Sequence, residues 1–111
     1  MSGDERRERL GQVGSVVRLS APALDAALAL AFAVERELFD RGYIATVLEG
    51  ATEEAAAACA HGGLIALIPA RSEGGLGVFA EVFGDRVAAS DGEDAEDFVR
   101  RAAEVLLSRS K

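Results

Sequence analysis

Residues 16–50 read VVRLSAPALDAALALAFAVERELFDRGYIATVLEG, and this stretch decides the fold. Val16, Val17 and Leu19 form a short β-branched run ahead of the turn residues Ser20-Ala21-Pro22, which predicts a buried first strand over Val13–Leu19. From Ala23 to Asp40 no breaker interrupts the chain, so a helix is expected. It closes at Arg41 and Gly42, the glycine standing where a left-handed cap is favoured. Ile44 to Leu48 is then a second strand. A strand, a helix and a strand in this order form the repeating unit of an α/β sheet with parallel neighbours.

The middle of that helix is unusual. Ala26 to Val34 is a run of nine apolar residues, so apolar surface runs around the helix and a sheet on one side cannot cover it. Some of it must meet a second subunit or stay in water. Leu24, Leu28, Phe32 and Phe39 are the candidates for that contact, with ordinary core as the competing reading of each.

Working outward, Met1 to Gln12 carries Asp4-Glu5-Arg6-Arg7-Glu8-Arg9 and little to bury, and is expected to be a flexible charged tail. Residues 13–111 are expected to form a single α/β domain. Thr52 to Ala60 predicts a short helix stopped by Gly62-Gly63, and Leu64 to Ile68 a third strand. Pro69 to Gly77 reads as a loop, and Val78–Phe83 and Arg86–Ala89 as two strands, with Gly84-Asp85 able to close a hairpin between them. Ser90-Asp91-Gly92-Glu93 has the form of a capping box before a final helix, whose stripe is Ala95, Phe98, Val99, Ala102, Val105 and Leu106.

The expected architecture is therefore a small three-layer α/β domain with a mostly parallel sheet of about five strands. One link strains it. Nine residues join the third and fourth strands, fewer than the dozen or so a parallel crossover needs, so a tight loop or antiparallel pairing must resolve that step.

Composition excludes several function classes. Nineteen acidic against 12 basic residues give a net charge of -7, which repels phosphate backbones and anionic membranes. Neither nucleic acid nor a membrane is expected as a partner. One cysteine, Cys59, cannot form an internal disulfide, and there is neither a membrane-length apolar run nor a signal-peptide start, so a cytoplasmic location is expected. Lys111 is the only lysine, which removes Schiff-base chemistry and any internal phosphate-loop lysine.

Several segments together resemble adenylyl-sulfate kinases (APS kinases), a family of P-loop kinases. They are Val16-Val17-Arg18-Leu19-Ser20, the helix end Glu35-Arg36-Glu37-Leu38-Phe39-Asp40-Arg41-Gly42-Tyr43, and Val47-Leu48-Glu49-Gly50. Gly63-Leu64-Ile65-Ala66-Leu67-Ile68 and Val78-Phe79-Ala80-Glu81-Val82-Phe83 resemble the family's third and fourth core strands. The resemblance spans most of residues 16–107, is most specific over Leu38–Gly50, and implies a P-loop-kinase-like fold.

The departures from the family concern its chemistry. Against the pattern GxxxxGK[ST], Ala21 and Ala26 stand at the two glycines, Ala27 at the lysine and Leu28 at the hydroxyl. The glycines let amides wrap a phosphate, the lysine supplies charge and the hydroxyl holds Mg²⁺. These four residues do none of this, and Pro22 removes a further amide donor. Aspartate-glycine-aspartate becomes Glu49-Gly50-Ala51, and the family's arginine-bearing and lid segments are missing. What the resemblance implies is fold and ancestry, with neither ATP binding nor a cofactor expected.

The other constellations are thin. Cys59 and His61 lie two apart with no third ligand, and Glu53-Glu54 and Glu93-Asp94-Glu96-Asp97 sit at helix starts, where acids favour the dipole. No metal site and no catalytic residue is assigned. Ser20, Glu49, Arg71 and Ser72 are expected around the crevice at the strand ends, where open α/β sheets bind ligands. Three functional readings follow. The first is a non-catalytic APS-kinase-like domain acting by association, as a homodimer or with a partner enzyme subunit. The second is a small-molecule or anion-binding module at the strand-end crevice. The third is an enzyme of repurposed chemistry built on Glu49, Arg71 or His61.

Overall fold

The computed structural model describes residues 15–50, 53–73, 77–82 and 85–109. The expected tail, Met1 to Gln12, and the centre of the loop after the third strand, residues 74–76, lie outside them.

Among the described residues the order is β1 (Ser15–Ala21), α1 (Leu24–Asp40), β2 (Ala45–Val47), α2 (Glu53–His61), β3 (Ile65–Arg71), β4 (Phe79–Val82), β5 (Asp85–Ala88) and α3 (Ala95–Arg109). The strands form one sheet in the order β2-β3-β1-β4-β5. β1 pairs with β3 and β3 with β2 in parallel, whereas β4 runs antiparallel to β1 and β5 antiparallel to β4.

The sheet is thus mixed, with a parallel core, and the strained link explains why. Ser72 to Val78 is too short to carry a crossover helix, so the chain passes the end of β1 and returns along its far side. β3 and β4 do not pair at all; β1 lies between them. β4 and β5 then pair antiparallel with Val82 opposite Asp85, while Gly84 of the expected turn lies outside the described residues.

β3 also runs three residues past its expected end, through Pro69 to Arg71. A proline in an inner strand lacks a ladder donor. Ile65 N–H donates to the Ile44 carbonyl and the Leu67 carbonyl accepts from Leu48 N–H, so odd-numbered main-chain groups of β3 face β2. The β2 ladder ends at Val47 opposite Leu67, so Pro69 lies just past the paired stretch, on the side where no further ladder hydrogen bond forms.

Alternation places Val17, Leu19, Ile65, Leu67, Ala80, Val82 and Val87 on one sheet face, where α1 and α3 cover them to form the core. α1 contributes Leu30, Ala31, Val34 and Leu38; α3 contributes Phe98, Val99, Ala102, Ala103 and Leu106. Ala66 points the other way yet is fully buried, as is Ala56 of α2, which packs against β3 and β1. α2 therefore covers the opposite face, the side that a right-handed β2–α2–β3 crossover requires once β1–α1–β2 has placed α1 on the first.

Helix ends follow local chemistry. Gly42, at φ +93°, lets Tyr43 N–H reach the Leu38 carbonyl at 2.9 Å and stop α1; Gly63, at φ +88°, does the same for α2. The capping box needs correction. Glu93 accepts from Ser90 N–H at 2.8 Å, but this pair closes a turn containing Gly92. α3 starts later, with Phe98 N–H donating to the Asp94 carbonyl at 3.0 Å.

Candidate functional site

The outer side of α1 carries the most conspicuous surface feature. Turned at 100° per residue, its buried side chains Ala27, Leu30, Ala31, Val34 and Leu38 occupy one arc facing the sheet. Leu24, Leu28, Phe32 and Phe39 fall together on the next arc. Leu24 is 55% exposed, Phe32 48% and Phe39 69%, while Leu28 is half-buried. Three of the four contact candidates are therefore surface and not core. Ile44, 50% exposed, follows them at the start of the edge strand.

The four strand-end candidates lie near the ends of β1, β2 and β3, with Ser20 one register step from the Ala21–Arg71 pair. Ser20 is buried on β1, Arg71 is exposed at the last position of β3, and Glu49 is exposed beside Gly50, whose φ is +62°. Ser72 is anchored through its backbone, its N–H donating to the Ala21 carbonyl at 2.8 Å. Among the described residues no side-chain hydrogen bond or ion pair joins any two of these four.

The positions matching the phosphate-loop pattern lie in a helix. Only Pro22 and Ala23 separate β1 from α1, so Ala26, Ala27 and Leu28 stand inside α1, with Ala27 fully buried against the sheet. A loop wide enough to wrap a phosphate has no room between Ala21 and Leu24.

A groove of about 750 Å³ lies elsewhere, between α1 and α3. Its apolar lining includes Ala29 and Ala33 of α1, Phe98 and Val99 of α3, and Ala21 and Val78 at the sheet end; Arg36 and Glu96 stand among its charged residues. Sequence reasoning missed it, because a groove made by two helices some sixty residues apart leaves no local pattern. The small residues Ala26, Ala29 and Ala33, at helical spacing, were the available signal.

Charged groups tie α3 and the end of α1 in place. Arg101 Nη2 and Nε donate to Glu93 at 2.7 and 3.1 Å, and Nη2 also donates to the Ala88 carbonyl at 2.6 Å. The Arg101 hydrogen bonds, with that from Ser90 N–H, lower the Glu93 pKa below its ordinary value. Arg41 Nε donates to Glu37 at 2.6 Å, which raises the Arg41 pKa, and its Nη2 lies 3.5 Å from Glu104 of α3. Cys59 is half-buried and His61 exposed, and no group of three or more His, Cys, Asp or Glu side chains suited to a metal occurs among the described residues. Among those residues no helix is long and apolar enough to cross a membrane. Comparison with protein-family models, curated proteins and solved structures finds no match to this chain.

Proposed function

We propose that this chain is a non-catalytic, shortened APS-kinase-like domain that acts in the cytoplasm by association, as an accessory, scaffold or regulatory subunit. The exposed arc Leu24, Phe32 and Phe39 carries this reading. Apolar side chains grouped on one helix flank gain free energy when a partner removes them from water, at about 25 cal/mol per Å². The burial of Ala27, at the position a phosphate-loop lysine would take, supports the non-catalytic part.

A photo-crosslinking amino acid at position 39, introduced into the protein in its own cells, tests the association. Discrete crosslinked products are expected, and their loss when Phe32 is changed to Glu. A protein that stays uncrosslinked overturns the reading.

Small-molecule binding is the second reading, and the α1–α3 groove is the observation that favours it. Its volume falls within the roughly 300–1,000 Å³ of ligand pockets, and its lining reaches Ala21 at the end of β1, beside Ser20 of the strand-end crevice.

A further inference from the structure

The partner that fits the α1 flank is written in the strand beside it. Among the described residues β2 is an edge strand, and its pairing fixes which of its main-chain groups face away from β3. Ile65 N–H donates to the Ile44 carbonyl at 3.4 Å and Leu48 N–H to the Leu67 carbonyl at 2.9 Å. Main-chain groups of Ile44, Thr46 and Leu48 thus face β3, and the N–H and C=O of Ala45 and Val47 point out of the sheet.

Proteins usually blunt such edges with charge, proline or a bulge. The opposite edge, β5, carries Asp85 and Arg86. Ile44 to Leu48 reads Ile-Ala-Thr-Val-Leu, with no charge and no proline. An uncharged β-prone edge of this kind invites another strand, and its outward groups are self-complementary.

The apolar arc of α1 lies on the same side. α3 flanks α1 on the side of β4 and β5, sharing the groove at Ala29 and Ala33, so the arc bearing Leu24, Leu28, Phe32 and Phe39 is turned toward β2. With the stated exposures and a full surface of about 150–250 Å² per large side chain, Leu24, Phe32, Phe39 and Ile44 offer roughly 400 Å². That is about half of the ~800 Å² each partner contributes to a standard interface, before the β2 edge itself is counted.

We infer that the partner is a second copy of this chain, joined about a two-fold axis at Thr46 by antiparallel β2–β2 pairing, with the two α1 flanks closing over the joint. This inference rests on the association reading and commits it to one occupant. Ala45 exchanges both hydrogen bonds with the partner's Val47, and Val47 with the partner's Ala45. Thr46 then stands opposite the partner's Thr46 as a non-hydrogen-bonded pair with Cα atoms about 4.5 Å apart. The result is a continuous ten-stranded sheet, twice the five strands of one copy.

Light scattering on the purified full chain across a concentration series tests this, with Phe39→Glu, Thr46→Lys, and Thr46→Cys in a Cys59→Ser background. Twice the 11.6 kDa chain mass is expected, reverting to one chain mass in Phe39→Glu and Thr46→Lys. Thr46→Cys is expected to form an intermolecular disulfide on mild oxidation, because that Cα separation lies within disulfide range. Adding Phe39→Glu should suppress the crosslink, while the circular dichroism and melting of Phe39→Glu remain those of a folded domain. A chain that is monomeric at every concentration, or a dimer that survives both charged substitutions and does not crosslink at position 46, overturns the inference. If position 39 then crosslinks in cells to a protein of a different mass, only the second copy fails; if it crosslinks to nothing, the association reading falls with it.

Discussion

Arg101 holds Glu93 with a fork, Nη2 to Oε1 at 2.7 Å and Nε to Oε2 at 3.1 Å, eight residues apart across the start of α3. The Glu93 side chain is only 13% exposed there, so the pair pins the turn that launches the helix. Glu93 has a lowered pKa in the folded chain, chiefly from the Arg101 hydrogen bonds. A group of this kind stabilises the fold above its unfolded pKa, and that contribution is lost as pH falls through the folded value. Thermal melts should therefore lose stability below the ordinary glutamate range. Glu93→Gln should flatten that acid limb, and Arg101→Lys, which cannot fork, should lower the melting temperature at neutral pH. An acid limb unchanged in Glu93→Gln would assign the loss to other carboxylates.

Two neighbours on α1 should behave in opposite ways. Leu38 is fully buried in the core, whereas Phe39 is 69% exposed. Leu38→Ala removes packed methyl groups and leaves a cavity, costing about 2–5 kcal/mol in urea denaturation. Phe39→Ala, measured on dilute protein, should cost less than about 0.5 kcal/mol. Equal losses at both positions would place Phe39 in a packed environment.

These two residues also show what was legible. The strand, helix and strand from β1 to β2 stand nearly where the sequence puts them, because Pro22 and Gly42 punctuate them and burial follows a simple period. Leu24, Leu28, Phe32 and Phe39 could be nominated for a contact because the apolar run Ala26–Val34 exceeds what one sheet face can cover; three of them are exposed and Leu28 is half-buried. Strand direction past Arg71 was legible only as two alternatives, a tight loop or antiparallel pairing, and the choice between them was not. It depends on β1 being free to accept β4 on its far side, a tertiary fact with no local residue signature. The end of β3 at Arg71 was hidden because Pro69 reads as a breaker, whereas β3 continues through it in register with Leu19 of β1. The α1–α3 groove depends on how two distant helices pack, whereas Ser20, Glu49, Arg71 and Ser72 could be nominated from topology alone, as residues at or just past the strand ends.

Glycines after the first two helices differ in what they require. Gly42 has φ +93°, a conformation that costs an L-residue roughly 1–2 kcal/mol, so Gly42→Ala should destabilise by about that amount. Gly62 has an ordinary φ, and a Cβ there would meet only the Cys59 and Ala58 carbonyl oxygens at 3.5 and 3.7 Å. Gly62→Ala should be neutral or stabilise by up to about 1 kcal/mol, by restricting the unfolded chain. Chemical denaturation of the two variants side by side would show the contrast, and equal effects would contradict the assigned helix ends.

Position 27, where the phosphate-loop pattern puts its lysine, tests the non-catalytic reading most sharply. Ala27 is fully buried beneath α1, so a lysine there would carry an unpaired charge into the core instead of reaching a nucleotide. Ala27→Lys should destabilise the domain by at least about 3 kcal/mol, the scale of an uncompensated buried charge. The unmodified chain should melt at the same temperature with and without millimolar Mg·ATP, because a ligand present at a hundred times its Kd would add about 2.7 kcal/mol. Ala27→Lys should melt lower and remain indifferent to nucleotide. A melting temperature that rises with Mg·ATP in the unmodified chain would mean that phosphate contacts come from outside the β1–α1 turn, and the non-catalytic reading would fall. A rise confined to Ala27→Lys would show instead that the start of α1 can open into a phosphate loop once a lysine stands there.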